Sequence, residues 1–565
     1  MADPELRLSF FAGTMRRTDR AFSAFLLLGL LASESQASAT TFGEPYLLQD
    51  LTPYYDPDSP LWGFREVNGH LLYLANRSRE GFELWRTDTT PEGTERISAT
   101  GTGFRFLWSP LEGSVHPFAL LYDTNGLNGL PSLWRTDGTS AGTDEIAPDV
   151  VYGAFPHFLG DSGLAVFVAS SWSPGGDRDW EIWVSDGSRD GTHRLVDLWS
   201  AGPGVRSDLT RLGEEVLFIA VDDLGPGGLA SGLWKSNGTI SGTRLVARPP
   251  AGSFEPYLWR VQGSVFAVVD DRFGEGEVLW RTDGTPGGTS AIRAFGREDG
   301  IHTAIWPVAK TSTGRTLVNI HTLDTPSSLW STDGTSLGTF KLVDLGVSGG
   351  GAPLYAFPVN HREWSYFFAD TGGGRTLWRT DGTSSNTSPA PDLCPGDCGE
   401  QVYSFGFLDG QEYLLLHLDD GTHGIEPWIS DGMPEGTRLL VDFCPGTCDS
   451  LVLTSLKVGD RFLLAVQARS FDTSGSDNQI WQTDLTPEGT SQITHFANGI
   501  TYPSLSGPYE GTVLFLARDA DFLADLWALP FGLGSPIEAP LSPLAGLALA
   551  LLLAGAAWAL LGRPA

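Results

Sequence analysis

The sequence predicts an all-β chain, a β-propeller of ten repeats of about fifty residues with four strands in each. Three observations predict it. Ten tryptophans recur at intervals of 46 to 53 residues: Trp85, Trp134, Trp183, Trp234, Trp280, Trp330, Trp378, Trp428, Trp481 and Trp527. Nine of the ten sit in one phrase, which reads SLWSTDGTSLGT at Ser328–Thr339. The array also begins with a stray strand and ends with a unit that lacks one. Self-similarity at a fixed period marks a repeat architecture, in which each unit buries its apolar faces only against its neighbours.

Residues 1–39 read as a secretory signal peptide. Arg16, Arg17 and Arg20 form the basic region, Ala21–Ala32 the apolar run, and Ala37-Ser38-Ala39 the small-residue site, with cleavage expected between Ala39 and Thr40. Met15 stands at a more usual distance from the basic residues, so 1–14 read as an over-extended start. An uncleaved anchor is the competing reading.

The repeat array is expected over 40–531. In the unit Asp208–Val246, the segments Leu209–Leu212, Glu215–Asp222, Gly232–Ser236 and Thr243–Val246 are each rich in β-branched and apolar residues, with glycine-containing turns between them. The second segment returns at Ser264–Asp271, Trp364–Asp370 and Thr512–Asp519. In the third strand, Leu133 and Trp134 point to opposite faces yet both are apolar, so that strand is expected between two covering layers. Tyr46–Leu51 matches a fourth strand, whereas Asp525–Leu529 is a third strand with no fourth after it. Pairing the two would close a single ring of ten blades and remove its open edges. Two smaller rings and a β-solenoid are the alternatives.

Residues 532–543 are a Pro-rich linker, and 544–563 contain the uncharged run Leu544–Leu561, long enough to cross a thin membrane as a helix. The Pro-containing motif, apolar helix and Arg563 together resemble the C-terminal sorting tails of Gram-negative bacteria, of the IPTL and PEP classes. A plain membrane anchor is the alternative.

The repeat itself resembles the ELWxxDGT repeat of exported bacterial proteins, with close matches at Glu83-Leu84-Trp85 and Thr282-Asp283-Gly284-Thr285. The match weakens at Pro427-Trp428, at Leu485 and at Leu526-Trp527. The resemblance implies a secreted or surface protein and brings no enzymatic activity with it.

The DGTxxGT turn has an ordinary structural task, its Asp accepting backbone hydrogen bonds and its glycines taking conformations other residues avoid. Asn237 replaces one Asp, and Asn386 replaces one second glycine, where positive φ is expected. The functional alternative is calcium, with Asp88, Asp137, Asp186, Asp283, Asp333, Asp381, Asp431 and Asp484 as candidate ligands. Calcium takes six to eight oxygens and each turn reliably offers one carboxylate, so the structural reading is preferred and no cofactor is expected. A second acidic series, Asp222-Asp223, Asp270-Asp271, Asp419-Asp420 and Asp519, follows the second strand.

Cys394, Cys398, Cys444 and Cys448 form two C-x3-C pairs around Pro-Gly turns. With an export signal, two local disulfides are preferred to a zinc site. The ten histidines show no ligand spacing, and no nucleophile elbow or phosphate loop is present, so no catalytic residue is assigned. A formal charge of −32, with 36 Lys and Arg dispersed along the chain, argues against nucleic acid.

These features point to a monomeric, exported protein, placed in the periplasm, on the outer surface or outside the cell, and membrane-anchored unless the C-terminal tail is cleaved. Its expected role is to bind a protein or glycan ligand, without catalysis, through loops on one face. A secreted polysaccharide hydrolase or lyase with an axial site is the first alternative, with Trp172, Trp199 and Tyr257 available to stack on sugars. A structural envelope protein is the second.

Overall fold

The computed structural model describes residues 40–533 except 52–60, 79–80, 99–102, 108–116, 124–130, 160–162, 172–178, 199–203, 224–228, 251–252, 262, 272–275, 296–302, 323–326, 346–357, 371–374, 394–401, 409–412, 470–475, 497–504 and 519–523. The expected signal peptide, the C-terminal apolar helix, Ala39, Cys394, Cys398, Trp172, Trp199 and Asp519 therefore lie outside the described residues. Residues 42–530 form one compact unit; the described residues of a second, smaller one are 40–41 and 531–533. No helix among the described residues is long and apolar enough to cross a membrane.

The larger unit is a ring of ten antiparallel sheets. Nine are four-stranded meanders in chain order, from blade 1 (Leu61–Val67, His70–Ser78, Gly81–Thr87, Glu95–Arg96) to blade 9 (Asp449–Val458, Arg461–Arg469, Ser476–Thr483, Ser491–Gln492). Blade 10 takes Ser506–Tyr509, Thr512–Arg518 and Ala524–Leu533 from the end of the array, and Thr40–Phe42 pairs with the last of these as an extra strand, so this sheet has five strands rather than the expected four. Its fourth strand is Tyr46–Gln49 from the beginning, with Tyr46 opposite Ala528, Leu47 opposite Trp527 and Gln49 opposite Leu526. The expected exchange of orphan strands is thus the closure of one ring.

Period-2 alternation explains how the blades stack. Along Glu215–Asp223 of blade 4, Val216, Phe218 and Ala220 pack with Val166 and Val168 of blade 3. The intervening Leu217 and Ile219 pack with Val265, Ala267 and Val269 of blade 5. The third strand behaves as its pattern predicts: Leu133 is buried with blade 3, and Trp134 packs against the core shared with blade 1. Each fully buried Val, Leu or Phe contributes roughly 1.5–3 kcal/mol, and in a ring every blade receives this on both faces.

The junction between the ends is built from the same parts. Leu514, Leu516, Leu526 and Ala528 of blade 10 pack with Leu71, Tyr73, Ala75 and Trp85 of blade 1. Blades 9 and 10 meet through Phe496, whose ring lies 5.9 Å from Phe515 and 4.7 Å from Trp527. An open array would leave these faces bare.

Candidate functional site

The most regular polar feature of the ring is the turn joining the third and fourth strands. In blade 2, Asp137 Oδ1 accepts hydrogen bonds from the Thr139 amide (3.0 Å) and hydroxyl (2.7 Å). The Thr139 hydroxyl accepts from the Gly142 amide at 3.0 Å, and the Thr143 hydroxyl donates to the Thr139 carbonyl at 2.7 Å. Thr136 and Thr143 share a hydroxyl contact of 2.8 Å across the turn mouth. The same bonds recur around Asp283 and Asp333. Asn237 keeps both acceptor bonds without the charge, at 3.1 and 2.7 Å.

These bonds favour the charged carboxylate. The hydroxyl and then the amide of the residue two positions on hold Asp88, Asp186, Asp283 and Asp333 below the usual carboxylate range. At Asp137 and Asp484 burial opposes this, yet the same bonds prevail.

The two glycines of the turn are required for different reasons. The first has positive φ, 92° at Gly138 and 88° at Gly334, the left-handed region that favours glycine. The second does not: a Cβ on Gly142 would lie 2.1 Å from Asp137 Oδ1, and one on Gly338 would lie 2.0 Å from Asp333 Oδ2. The carboxylate occupies the space a side chain would need. This corrects the positive-φ expectation at Asn386, which closes a 3-10 turn, Ser384–Asn386, and donates its side-chain amide to Asp381 Oδ2 at 2.6 Å. Where the first glycine is replaced, by Thr89 and Leu485, φ stays at 69° in both.

Each turn also grips the preceding blade. Gly187 sits on Phe118 of blade 2, Gly238 on Leu164 of blade 3, and Gly432 on Tyr366 and His361 of blade 7. Carbonyls in the turns accept from the neighbouring blade: Asp431 from the His361 Nε2–H (2.9 Å), Asp381 from the Thr313 hydroxyl (2.7 Å), and Leu485 from the Arg438 guanidinium (2.6 Å). At the ring junction, the Tyr46 hydroxyl donates to the Thr89 carbonyl at 2.6 Å. The repeat signature is therefore an inter-blade latch.

The residue two before most of the tryptophans has a second task that sequence reasoning missed. Glu181 accepts from the Leu198 amide and Glu426 from the Phe443 amide, both at 3.1 Å, fixing the chain as it leaves the fourth strand. Gln479 does the same for Phe496. Asp525 accepts from the Leu51 amide at 2.9 Å, repeating the bond across the ring junction. Ser132, Ser328 and Thr376 instead accept from the indole of their own tryptophan. A polar residue at this place in an otherwise apolar strand was the available signal.

Titratable groups gather in three further places. In blade 3, carboxylate oxygens of Asp179, Glu181 and Asp197 lie within 4.8 Å of one another, with Arg194 3.0 Å from Asp179 and 3.4 Å from Asp197. Burial and the Asp197 charge raise the Asp179 pKa against the pull of Arg194. In blade 8, burial pushes Glu426 up to about 7 and His417 down to about 4. His417 Nε2 accepts from the Val452 amide of blade 9 at 2.9 Å, a bond that needs the neutral ring. At the junction of blades 10 and 1, a cavity of about 460 Å³ is lined by Glu66, His70, Asp88, Glu92, Tyr509 and Glu510 among others.

The eight calcium candidates are placed one per blade in blades 1, 2, 3, 5, 6, 7, 8 and 9, each with Oδ1 bound inside its own turn. The second acidic series does not form one site: Asp222 pairs with Arg248, Asp270 is buried, and Asp420 pairs with His423. Cys444 and Cys448 form a disulfide. Tyr257 lies in the first strand of blade 5 and is 62% exposed.

No protein-family model matches this chain, and no curated protein matches it in sequence. Among solved structures, it is similar to prolyl oligopeptidase B from Galerina marginata at 13% identity, over 80% of this chain and 60% of that one, with a TM-score of 0.32. Oligogalacturonate lyase from Vibrio parahaemolyticus is 14% identical over 62% of this chain and 100% of its own, with a TM-score of 0.29. The tricorn protease is 9% identical over 82% of this chain but only 44% of its own, with a TM-score of 0.25. Likenesses this distant carry no inference about activity.

Proposed function

We propose that this chain is an exported, surface-anchored and noncatalytic propeller that binds a protein or glycan ligand through the connections on one face of the ring. The observation that carries the reading is the contrast between the two faces. In an up-and-down blade, the first-to-second and third-to-fourth connections lie on one face and the others lie on the opposite face. The third-to-fourth turn has seven residues in every blade that has one, as in Asp88–Thr94 between Thr87 and Glu95. On the opposite face, fourth-to-first connections range from the single Asp149, between Pro148 and Val150, to thirteen residues at 346–358. A rigid scaffold that presents variable loops suits recognition.

Export and anchoring rest on the two sequence ends, and the reading invokes no cofactor. The test is a glycan and polysaccharide array on the full-length protein in mild detergent, assayed for retention and for cleavage. The expected result is retention without product, abolished when 346–357 is replaced by a Gly-Ser segment of equal length. Product release would overturn the noncatalytic reading in favour of the hydrolase or lyase. Retention that survives loop replacement around the whole face would overturn the assignment of that face.

A further inference from the structure

The first strands of neighbouring blades touch one another: Thr210–Leu212 meets Ser253–Val261, which meets Thr303–Lys310, and Asp449–Val458 meets Ser506–Tyr509. They are the innermost strands and form the wall around the axis. Their composition departs from that of the chain. The whole sequence holds 36 basic residues against 68 acidic ones. The ten innermost strands hold six basic residues, Arg65, Arg105, Arg211, Arg260, Lys310 and Lys457, against three acidic ones, Glu66, Glu255 and Asp449. Within these strands the charge ratio is inverted, and Arg105, Arg260 and Lys457 are exposed.

The same wall carries large apolar side chains in the open. Tyr257 is 62% exposed, Trp306 38% and Leu453 40%, from blades 5, 6 and 9. Tyr257 and Leu453 fall where the first strand shifts register against the second, and Trp306 lies just before such a shift. Strand register places them at neighbouring depths, within about two residues of one another. Trp306 pairs with Asn319, three residues past the turn-closing Thr316; Leu258, next to Tyr257, pairs with Ala267, three past Ser264. Leu453 sits beside Thr454, which pairs with Ala465, four past Arg461. One face of the Trp306 indole stacks on His321, with centroids 6.1 Å apart and planes at 12°, which holds the ring in a fixed orientation.

We propose that the axial wall binds an acidic polysaccharide of the polyuronate type, with Arg260, Lys457 and their counterparts pairing the carboxylates while Tyr257 and Trp306 stack on the apolar faces of sugar rings. It deepens the binder reading, and rests on it, by adding a second surface and a ligand class. The pairing is chemically apt: guanidinium groups match planar carboxylates, and an aromatic ring with a polar tip suits a surface that is half apolar and half wet. An inorganic polyphosphate carries a comparable charge density but offers no apolar ring face to Tyr257 and Trp306.

The test measures binding of polygalacturonate, neutral galactan and a single-stranded DNA oligomer to the full-length protein in mild detergent, across a salt series. Wild type is expected to bind polygalacturonate in a salt-sensitive way and galactan much less. Arg260→Gln with Lys457→Gln is expected to weaken that binding roughly tenfold, and Tyr257→Ala roughly fivefold with the salt dependence retained. Circular dichroism of each variant checks that the ring is intact. Equal affinity for galactan, or tighter binding of DNA, would overturn the proposal. Polygalacturonate bound equally by wild type and axial variants would also overturn it while leaving the loop-face reading standing. Retention that survives replacement of every loop on that face, with polygalacturonate binding still lost in the axial variants, would do the reverse.

Discussion

The two faces of this ring differ in what their connections are asked to do. On one, nine turns of seven residues repeat nearly the same hydrogen bonds, and each is pressed against the blade before it. On the other, the fourth-to-first connections run from one residue to thirteen. The lesson is that the most repeated residues of the sequence, the Asp, Gly and Thr of the turn, are committed to holding blades together. On the proposed reading, recognition falls to places where the repeat is irregular.

The sharpest way to break this contrast is at the second turn glycine. Gly142→Ala puts a methyl group where the Asp137 carboxylate now lies, so the turn must shift or its bonds to Thr139 must weaken, and alanine has no amide to bond the carboxylate in return. Weakening one to two hydrogen bonds to a charged acceptor puts the loss at about 2–4 kcal/mol, read from chemical denaturation. Gly142→Asn is bulkier yet should cost less than half as much, because Asn386 shows how an amide there can bond the carboxylate instead of displacing it. Asparagine proving worse than alanine would refute the account of this glycine. An insertion of four residues at 350 should change stability by about 0.5 kcal/mol or less.

Much of this was legible in the sequence, and the limits have physical reasons. The Trp period, the two-sided apolar strand around Leu133 and Trp134, and the orphan strands at Tyr46 and Asp525 sufficed to predict the ring, because each records a burial or pairing requirement. The turn was recognised but half explained. A glycine needed for positive φ and one needed because a carboxylate occupies its Cβ position look alike in one dimension; Gly138 and Gly142 separate only in three. The Glu426–Phe443 bond and the alignment of Tyr257 with Trp306 escaped notice because they join residues whose proximity depends on register.

Acidity sharpens the comparison, since turn and interior respond to it with opposite signs. The turn carboxylates at Asp88, Asp186, Asp283 and Asp333 have depressed pKa values, so their contribution is complete above the ordinary Asp value and falls away as the solution becomes more acidic. Glu426, raised from 4.5 to about 7, contributes stability below 4.5 that is lost as pH rises through 7. His417, lowered from 6.5 to about 4, behaves oppositely: its contribution is complete above 6.5 and is lost as pH falls toward 4. The two buried groups of blade 8 therefore nearly cancel across this window. Glu426→Gln should uncover His417 and make the protein less stable at pH 4.5 than at pH 7, by up to about 3 kcal/mol. His417→Gln should tilt the profile the other way. Parallel pH profiles of denaturation for wild type and both variants would sink the assignment.

The smallest effect concerns the two turns that lack their first glycine, where the same backbone strain should yield opposite outcomes. Thr89 and Leu485 both hold φ at 69°, a conformation that costs a side chain with a Cβ roughly 1–2 kcal/mol. Leu485 is buried in the core shared by blades 8 and 9, beside Phe443, Leu464 and Trp481. Replacing it with glycine relieves strain but removes a packed side chain, so Leu485→Gly should lower local stability by about 1 kcal/mol. Thr89 belongs to no such cluster and lines the cavity at the ring junction. Thr89→Gly gives up its hydroxyl and some unfolded-state restriction, but it restores the residue that the backbone favours, for a gain of about 0.5 kcal/mol. Native-state hydrogen exchange at Thr90 and Thr486, whose amides bond the turn carboxylates, reads each turn separately. Protection should rise at the first and fall at the second; a rise at both would show that backbone strain alone governs the latch, and a fall at both that the lost side-chain contacts outweigh it.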